Sequence, residues 1–301
     1  MIAGVETPEA SVGAELALGA LLGMSFLLLR RFGFGWLRSA EPGERTPQGP
    51  WNTAHLVLVV GVGIVAQEIA GELLGLYAGS RGIESQDTGA GAALLASGFW
   101  QGSIVALILL IGRDSPSGLA SMGLMPTARR AVLRGLGVYL LALPAIVASM
   151  FLWRILLERY GGGAETQAIQ ELIARAEGLE IALVAILAVV VIPFLEEAIF
   201  RGWLQGWIAR RLGPVNGVLI PAVLFAVLHG IPALLPIFSL ALVLGIVRHH
   251  TDRLAPVWAI HALHNGSQLM LLFGASQLPE QAGGLPATGL LTLILPWIQG
   301  L

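Results

Sequence analysis

Long apolar runs separated by short polar connectors dominate the chain. Segments at about 11–30, 54–78, 89–111, 131–153, 181–209, 215–231, 233–248 and 254–274 are long enough, or nearly so, to cross a membrane. A ~30 Å hydrocarbon layer takes about 20 helical residues. The sixth and seventh are short, which suggests thinner local bilayer or burial among neighbours. A last apolar piece, "GLLTLILPWIQGL", is too short to count as a span. Small residues recur inside the runs, as in "GVGIVAQEIAGELLG" and "GAGAALLASG", a composition that lets helices approach closely in lipid. No internal repeat is visible. The pattern predicts an all-α, polytopic integral membrane bundle of about eight transmembrane helices, with 1–301 forming one domain.

Composition agrees. The chain is 55% hydrophobic and 12% charged, against about a quarter charged in ordinary soluble domains. Cysteine is absent, which excludes disulfides, thiol catalysis and thiolate metal sites. A net charge of −2 gives no reason to expect a nucleic-acid partner. The N-terminal stretch lacks a basic n-region and does not read as a signal peptide. All 17 basic residues are arginine, a compositional bias that points to a prokaryotic source and hence to an inner membrane.

Arginine also orients the bundle. With both termini extracytoplasmic, Arg30, Arg31, Arg38, Arg45, Arg113, Arg129, Arg130, Arg134, Arg201, Arg210, Arg211, Arg248 and Arg253 fall at or towards the cytoplasmic side. Arg81, Arg154, Arg159 and Arg175 fall on the other. The 37–53 stretch then reads as a flexible cytoplasmic linker, and "ETQAIQELIARAEGLE", within 154–180, as an amphipathic extracytoplasmic helix.

Three polar clusters interrupt the late apolar runs. In "FLEEAIFR", Glu197 and Arg201 are i,i+4, the spacing at which a carboxylate meets a guanidinium, while Glu196 projects about 100° away. The apolar pattern continues through Trp203 and Trp207 to an edge at Arg210–Arg211, which places Glu196 near the middle of the span. "FAVLHG" sets Phe225 and His229 at i,i+4. "HALHNG" sets His261 and Asn265 on one face, with His264 rotated off it. Singly, each has a bland reading: an interfacial helix, a structural histidine, polar residues bonding helix to helix. Together they mark function, because ionisable groups at membrane depth face one another. One acid with two histidines can activate a water, and Asn265 can donate to a developing oxyanion. Two histidines and a glutamate (Glu196, His229, His261) could instead hold a divalent metal such as Zn²⁺. The zincin H-E-x-x-H and the nucleophile-elbow G-x-S-x-G are absent.

The ordered trio E-E-x-x-x-R, F-x-x-x-H and H-x-x-x-N resembles the CPBP (also ABI) family of CAAX-protease and bacteriocin-processing intramembrane endopeptidases. The resemblance covers about 180–275, including "RGWLQGWIARRLGP", as a catalytic core. It covers 1–160 only as generic membrane helices, apart from "SMGLMP", which is similar to a short motif preceding the core. It implies glutamate-dependent peptide hydrolysis in the membrane: Glu196 and His229 activating water, His261 and Asn265 stabilising the oxyanion, and Glu197, Arg201 and Phe225 in support. Both metal-dependent and metal-free chemistry have been held for the family; the metal-free form, without cofactor, is the expectation here. Expected partners are the lipid bilayer and a membrane-anchored substrate: a bacteriocin-like peptide, a membrane-anchored regulator or a C-terminal sorting signal. A proton-coupled transporter and a non-catalytic scaffold or immunity protein are the rival readings.

Overall fold

A computed structural model describes residues 49–160 (except 116 and 128), 176 and 178–276, with 19, 20, 23, 25 and 27 of an N-terminal helix. Most of the expected first span, most of the 37–53 linker, the 161–175 part of the amphipathic segment and the apolar piece near 289–301 lie outside these. Every described element is helical: α1 (Thr53–Arg81), α2 (Ala90–Arg113), α3 (Arg129–Tyr160), α4 (the stretch Leu179–Leu228), α5 (Leu234–Thr251) and α6 (Ala255–Ser276). Single turns at Ser85–Asp87, Gly118–Ser121 and Ile231–Ala233 connect them.

Five of these stretches, α1 to α4 and Ile231–Thr251, are long and apolar enough to cross a membrane. The protein is an integral membrane protein. The count of five treats α4 as one, yet 50 residues at ~1.5 Å each would reach ~75 Å, far beyond a ~30 Å layer. The chain resolves this at Gly213, whose φ of 83° and ψ of 165° only glycine adopts at low cost. The two legs fold back so tightly that a Cβ on Gly217 would lie 2.5 Å from the Cβ of Ala209. The expected spans at 181–209 and 215–231 are these two legs. α6 is 22 residues long but too polar to count among the five, because it carries the His261–Gln268 cluster.

Packing follows membrane logic. The buried face of α1 is Val59, Gly63, Ala66 and Ala70, spaced as one helical stripe, while Val57, Val60, Ile64, Val65 and Leu73 are exposed. With lipid as apolar as leucine, size and not hydrophobicity decides which face turns inward. Ile104 of α2 sits against Gly63, where an added Cβ would come within 3.0 Å. At the start of α2 the side chain of Glu180 accepts the Gly91 N–H at 3.0 Å, placing a carboxylate on a helix N-terminus. The largest apolar cluster joins Ile104, Ile108, Met122, Phe200, Trp203, Phe225 and Leu254, and so encloses the polar residues of α4 and α6. A second cluster, including Tyr139, Leu240, Leu244 and Ile260, locks α3 and α5 to α6.

Gly213→Ala should therefore destabilise the protein by about 1–3 kcal/mol, the cost of forcing a Cβ into this backbone region. Thermal unfolding in detergent checks it: loss at Gly213→Ala, with little change at Gly206→Ala, where no neighbouring atom lies within 4 Å of the new Cβ.

Candidate active site

Two π-helical turns flank the paired glutamates, at Leu187–Val191 and Ala198–Leu204. The first has a visible cause. Ile192 N–H bonds back to Leu187, five residues earlier, and the next residue is Pro193, which has no N–H. The Ala188 carbonyl is left without its helical donor, and Asn265 of α6 supplies one, Nδ2 to O at 2.9 Å. Trp258 Nε1 likewise donates to Val190 O at 3.0 Å. In the second turn the Arg201 carbonyl accepts Arg248 Nε at 3.1 Å. Such turns are frequent at functional sites; here they pin α4 against α5 and α6 through its own backbone.

Glu197 and Arg201 form the predicted i,i+4 pair at 3.0 Å, and both are almost fully buried. Arg201 also donates to Ala241 O at 3.2 Å, and its guanidinium lies 4.5 Å from the Phe225 ring centroid, over the ring face. Glu197 does more than the spacing suggested. Its Oε1 also accepts from His261 Nδ1 at 2.7 Å, so the acid expected to pair with Arg201 orients a histidine as well. That contact turns the other ring nitrogen, Nε2, towards Glu196 Oε2 at 3.7 Å. The two carboxylates thus address opposite sides of one imidazole, as their ~100° separation on the helix allows.

Phe225 joins the remaining histidine to this group. Its ring centroid is 4.4 Å from that of His229 and 5.7 Å from that of His261. His229 caps the C-terminus of α4, and its Nδ1 bonds Phe225 O at 2.7 Å. A carbonyl only accepts, so Nδ1 carries the proton, and in the neutral ring Nε2 carries the lone pair. His264 points the other way, to the Tyr139 hydroxyl of α3 at 3.0 Å. Glu196, Glu197, Arg201, Phe225, His229 and His261 therefore form one cluster; Asn265 stands one turn along α6, and His264 is outside it.

Two participants escaped the sequence reading. Gln101 of α2 is buried and donates through Nε2 to Glu196 Oε1 at 3.4 Å and to Ser97 Oγ at 3.2 Å. Its only signal was a lone amide in an apolar helix. Arg248, counted above only as a cytoplasmic charge, is buried and bonds Arg201 O, Ser121 O and Asp252. It thereby holds "SMGLMP" against the core, with its guanidinium 3.2 Å from where a Cβ on Gly123 would stand. The i,i+4 spacing to Asp252 was the available clue.

Among the described residues, no group of three or more His, Asp or Glu side chains is arranged to hold a metal ion. Glu196, His229 and His261 are not placed as such a group, although the Nδ1 hydrogen bonds of both histidines leave Nε2 as the nitrogen that would ligate one.

Arg201→Met should cost about 3–5 kcal/mol, because it leaves Glu197 buried without its arginine counter-ion. The double variant Arg201→Met/Glu197→Leu should recover part of that loss. Thermal unfolding of the three proteins checks the sign.

A search of curated proteins and one of solved structures each found no match to the chain. A family comparison did: residues 178–267, the stretch from the start of α4 to the polar face of α6, match the family of type II CAAX prenyl endopeptidases described as Rce1-like, in agreement with the ordered motifs.

Proposed function

We propose that the protein is an intramembrane endopeptidase that hydrolyses a peptide bond in a membrane-associated peptide or protein. The observation that supports this best is the convergence of Glu196, Glu197, His261 and Gln101, from three helices, in the middle of an apolar bundle. An ion pair needed only to hold helices together would not require a second carboxylate on the same imidazole.

Glu196, with His229, takes a proton from water as the water attacks the scissile carbonyl, and the proton is returned to the leaving amine. His261 is held by Glu197 through Nδ1, as a carboxylate orients an imidazole in other hydrolytic sites, and presents Nε2 to the reacting centre. Asn265 has two amide hydrogens; one fixes the side chain on Ala188 O, and the second is the donor to the oxyanion. The scheme uses protein groups alone. The substrate is a bacteriocin-like peptide, a membrane-anchored regulator or a C-terminal sorting signal. The bundle sits in a prokaryotic inner membrane with both termini extracytoplasmic; the arginine asymmetry supports this orientation.

Glu196→Gln should abolish turnover in a folded protein, and Asn265→Ala should lower the chemical rate about 10²–10³-fold with little change in binding. His264→Ala should stay within a few-fold of wild type. Single-turnover cleavage of a membrane peptide, with binding followed separately, measures all three; full activity of Glu196→Gln would falsify the assignment. Dialysis against a strong chelator should leave kcat/KM within about twofold, whereas loss restored by Zn²⁺ would replace the metal-free scheme.

Orientation has its own check, made simple by the absence of cysteine. Single cysteines at positions 45 and 165, treated with an impermeant maleimide on intact cells, should label at 165 and not at 45. The reverse pattern would invert the topology.

A further inference from the structure

Intramembrane hydrolysis consumes one water per bond cleaved, yet the reacting groups are enclosed by apolar side chains. A second polar feature lies next to them. Between α1 and α2 is a pocket of about 520 Å³, lined among others by Gln67, Glu68, Glu72, Ser97 and Trp100. Glu68 and Glu72 are i,i+4 and exposed. Glu68 lies ~22 Å from the start of α1 and ~20 Å from its end, the depth of the bilayer centre for a centred helix. Charged or polar side chains at that depth face a watery cavity or a partner, not lipid.

The pocket also connects inward. Ser97, on its wall, accepts from Gln101 Nε2 at 3.2 Å, and the same amide reaches Glu196 Oε1 at 3.4 Å. Gln101 is 4% exposed, and its Oε1 is buried without a hydrogen-bond donor among the described residues. An acceptor next to a general base, bridged to a polar cavity, is suited to an O–H donor. At ~30 Å³ per molecule, the cavity has room for on the order of ten waters.

We propose that the pocket between α1 and α2 is the water inlet of the site, with Gln101 as the positioning residue at its inner end. Glu68, Glu72 and Gln67 keep the pocket hydrated at membrane depth. Gln101 holds one oxygen of Glu196 through its amide N–H and accepts from an incoming water through Oε1. Neither the inlet nor Gln101 lies in the family-matched stretch, so this chain builds them from its N-terminal helices. The proposal rests on the peptidase reading for its purpose, but its hydration can be measured without any substrate.

In the full chain, reconstituted in liposomes, single cysteines at Ser97, Glu72 and Val65 are treated with a charged methanethiosulfonate, which reacts only with hydrated thiolate. Val65 is exposed on the same helix but is not part of the pocket lining, and serves as the lipid-facing control. Ser97→Cys and Glu72→Cys should react at least about 100-fold faster than Val65→Cys. Equal, slow rates at all three would overturn the inlet, whatever occupies the pocket instead, be it lipid or a basic side chain of a substrate. Gln101→Leu should then lower kcat at least about tenfold, with KM within about twofold and thermal unfolding unchanged. A matching loss of stability, or a change confined to KM, would remove Gln101 from the proposal. Fast labelling in a protein that cleaves no peptide would leave the inlet standing and sink the peptidase reading instead.

Discussion

The buried contact among Glu197, Arg201 and His261 is the constraint around which the rest is arranged. A carboxylate and a guanidinium removed from water lose several kcal/mol each in solvation, and recover it only with close geometry and further hydrogen bonds. The protein supplies both: a 3.0 Å pair, the Ala241 carbonyl, the face of Phe225 and the ring of His261. Every one of these partners comes from a different stretch of chain, so the pair can be satisfied only when both legs of α4 meet α5 and α6. Forming the ion pair and assembling the polar cluster are the same event.

The π turns extend this coupling to the backbone. A regular helix keeps its carbonyls to itself and can slide or rotate against a neighbour at small cost. By opening at Leu187–Val191 and Ala198–Leu204, α4 offers carbonyls that Asn265, Trp258 and Arg248 then occupy. In a low-dielectric surrounding an unmade bond of this kind is expensive, so rotation and depth of α5 and α6 are fixed to within a hydrogen bond. Such definition is what a reacting centre needs, and leucine packing in lipid does not provide it. Asn265 illustrates this, one amide hydrogen bonding the backbone of the facing helix.

The arrangement also divides labour along the chain. The glutamates, histidines and Asn265 all stand on α4 and α6, within the stretch that matches the protease family. α1 and α2 close the opposite side through small residues, and Gln101 of α2 reaches in to Glu196. The "SMGLMP" segment is drawn in by Arg248 and, through Ser121, accepts from Trp51 in the strap of residues 49–52 that precedes α1. That strap is held in turn by Arg210 and Arg211 at the edge of the first leg of α4.

The sequence by itself determined the class and most of the inventory. Long apolar runs mean helices in lipid because an unpaired backbone cannot exist there. Polar and ionisable side chains within such runs are costly enough that Glu196, Glu197, Arg201, His229, His261 and Asn265 stand out without a structure. The i,i+4 rule was sufficient for Glu197 with Arg201, and helical rotation was sufficient to separate His264 from His261 and Asn265. What the tertiary structure decided is who meets whom. Glu197 holding His261, Gln101 bonded to Glu196 and Arg248 turned inward all depend on contacts between residues 47 to 127 positions apart. Local periodicity carries no information about such pairs. The π turns were equally hidden, because a one-residue insertion in a helix leaves the composition unchanged, and it is the neighbouring helix, not the local sequence, that satisfies the carbonyls it frees.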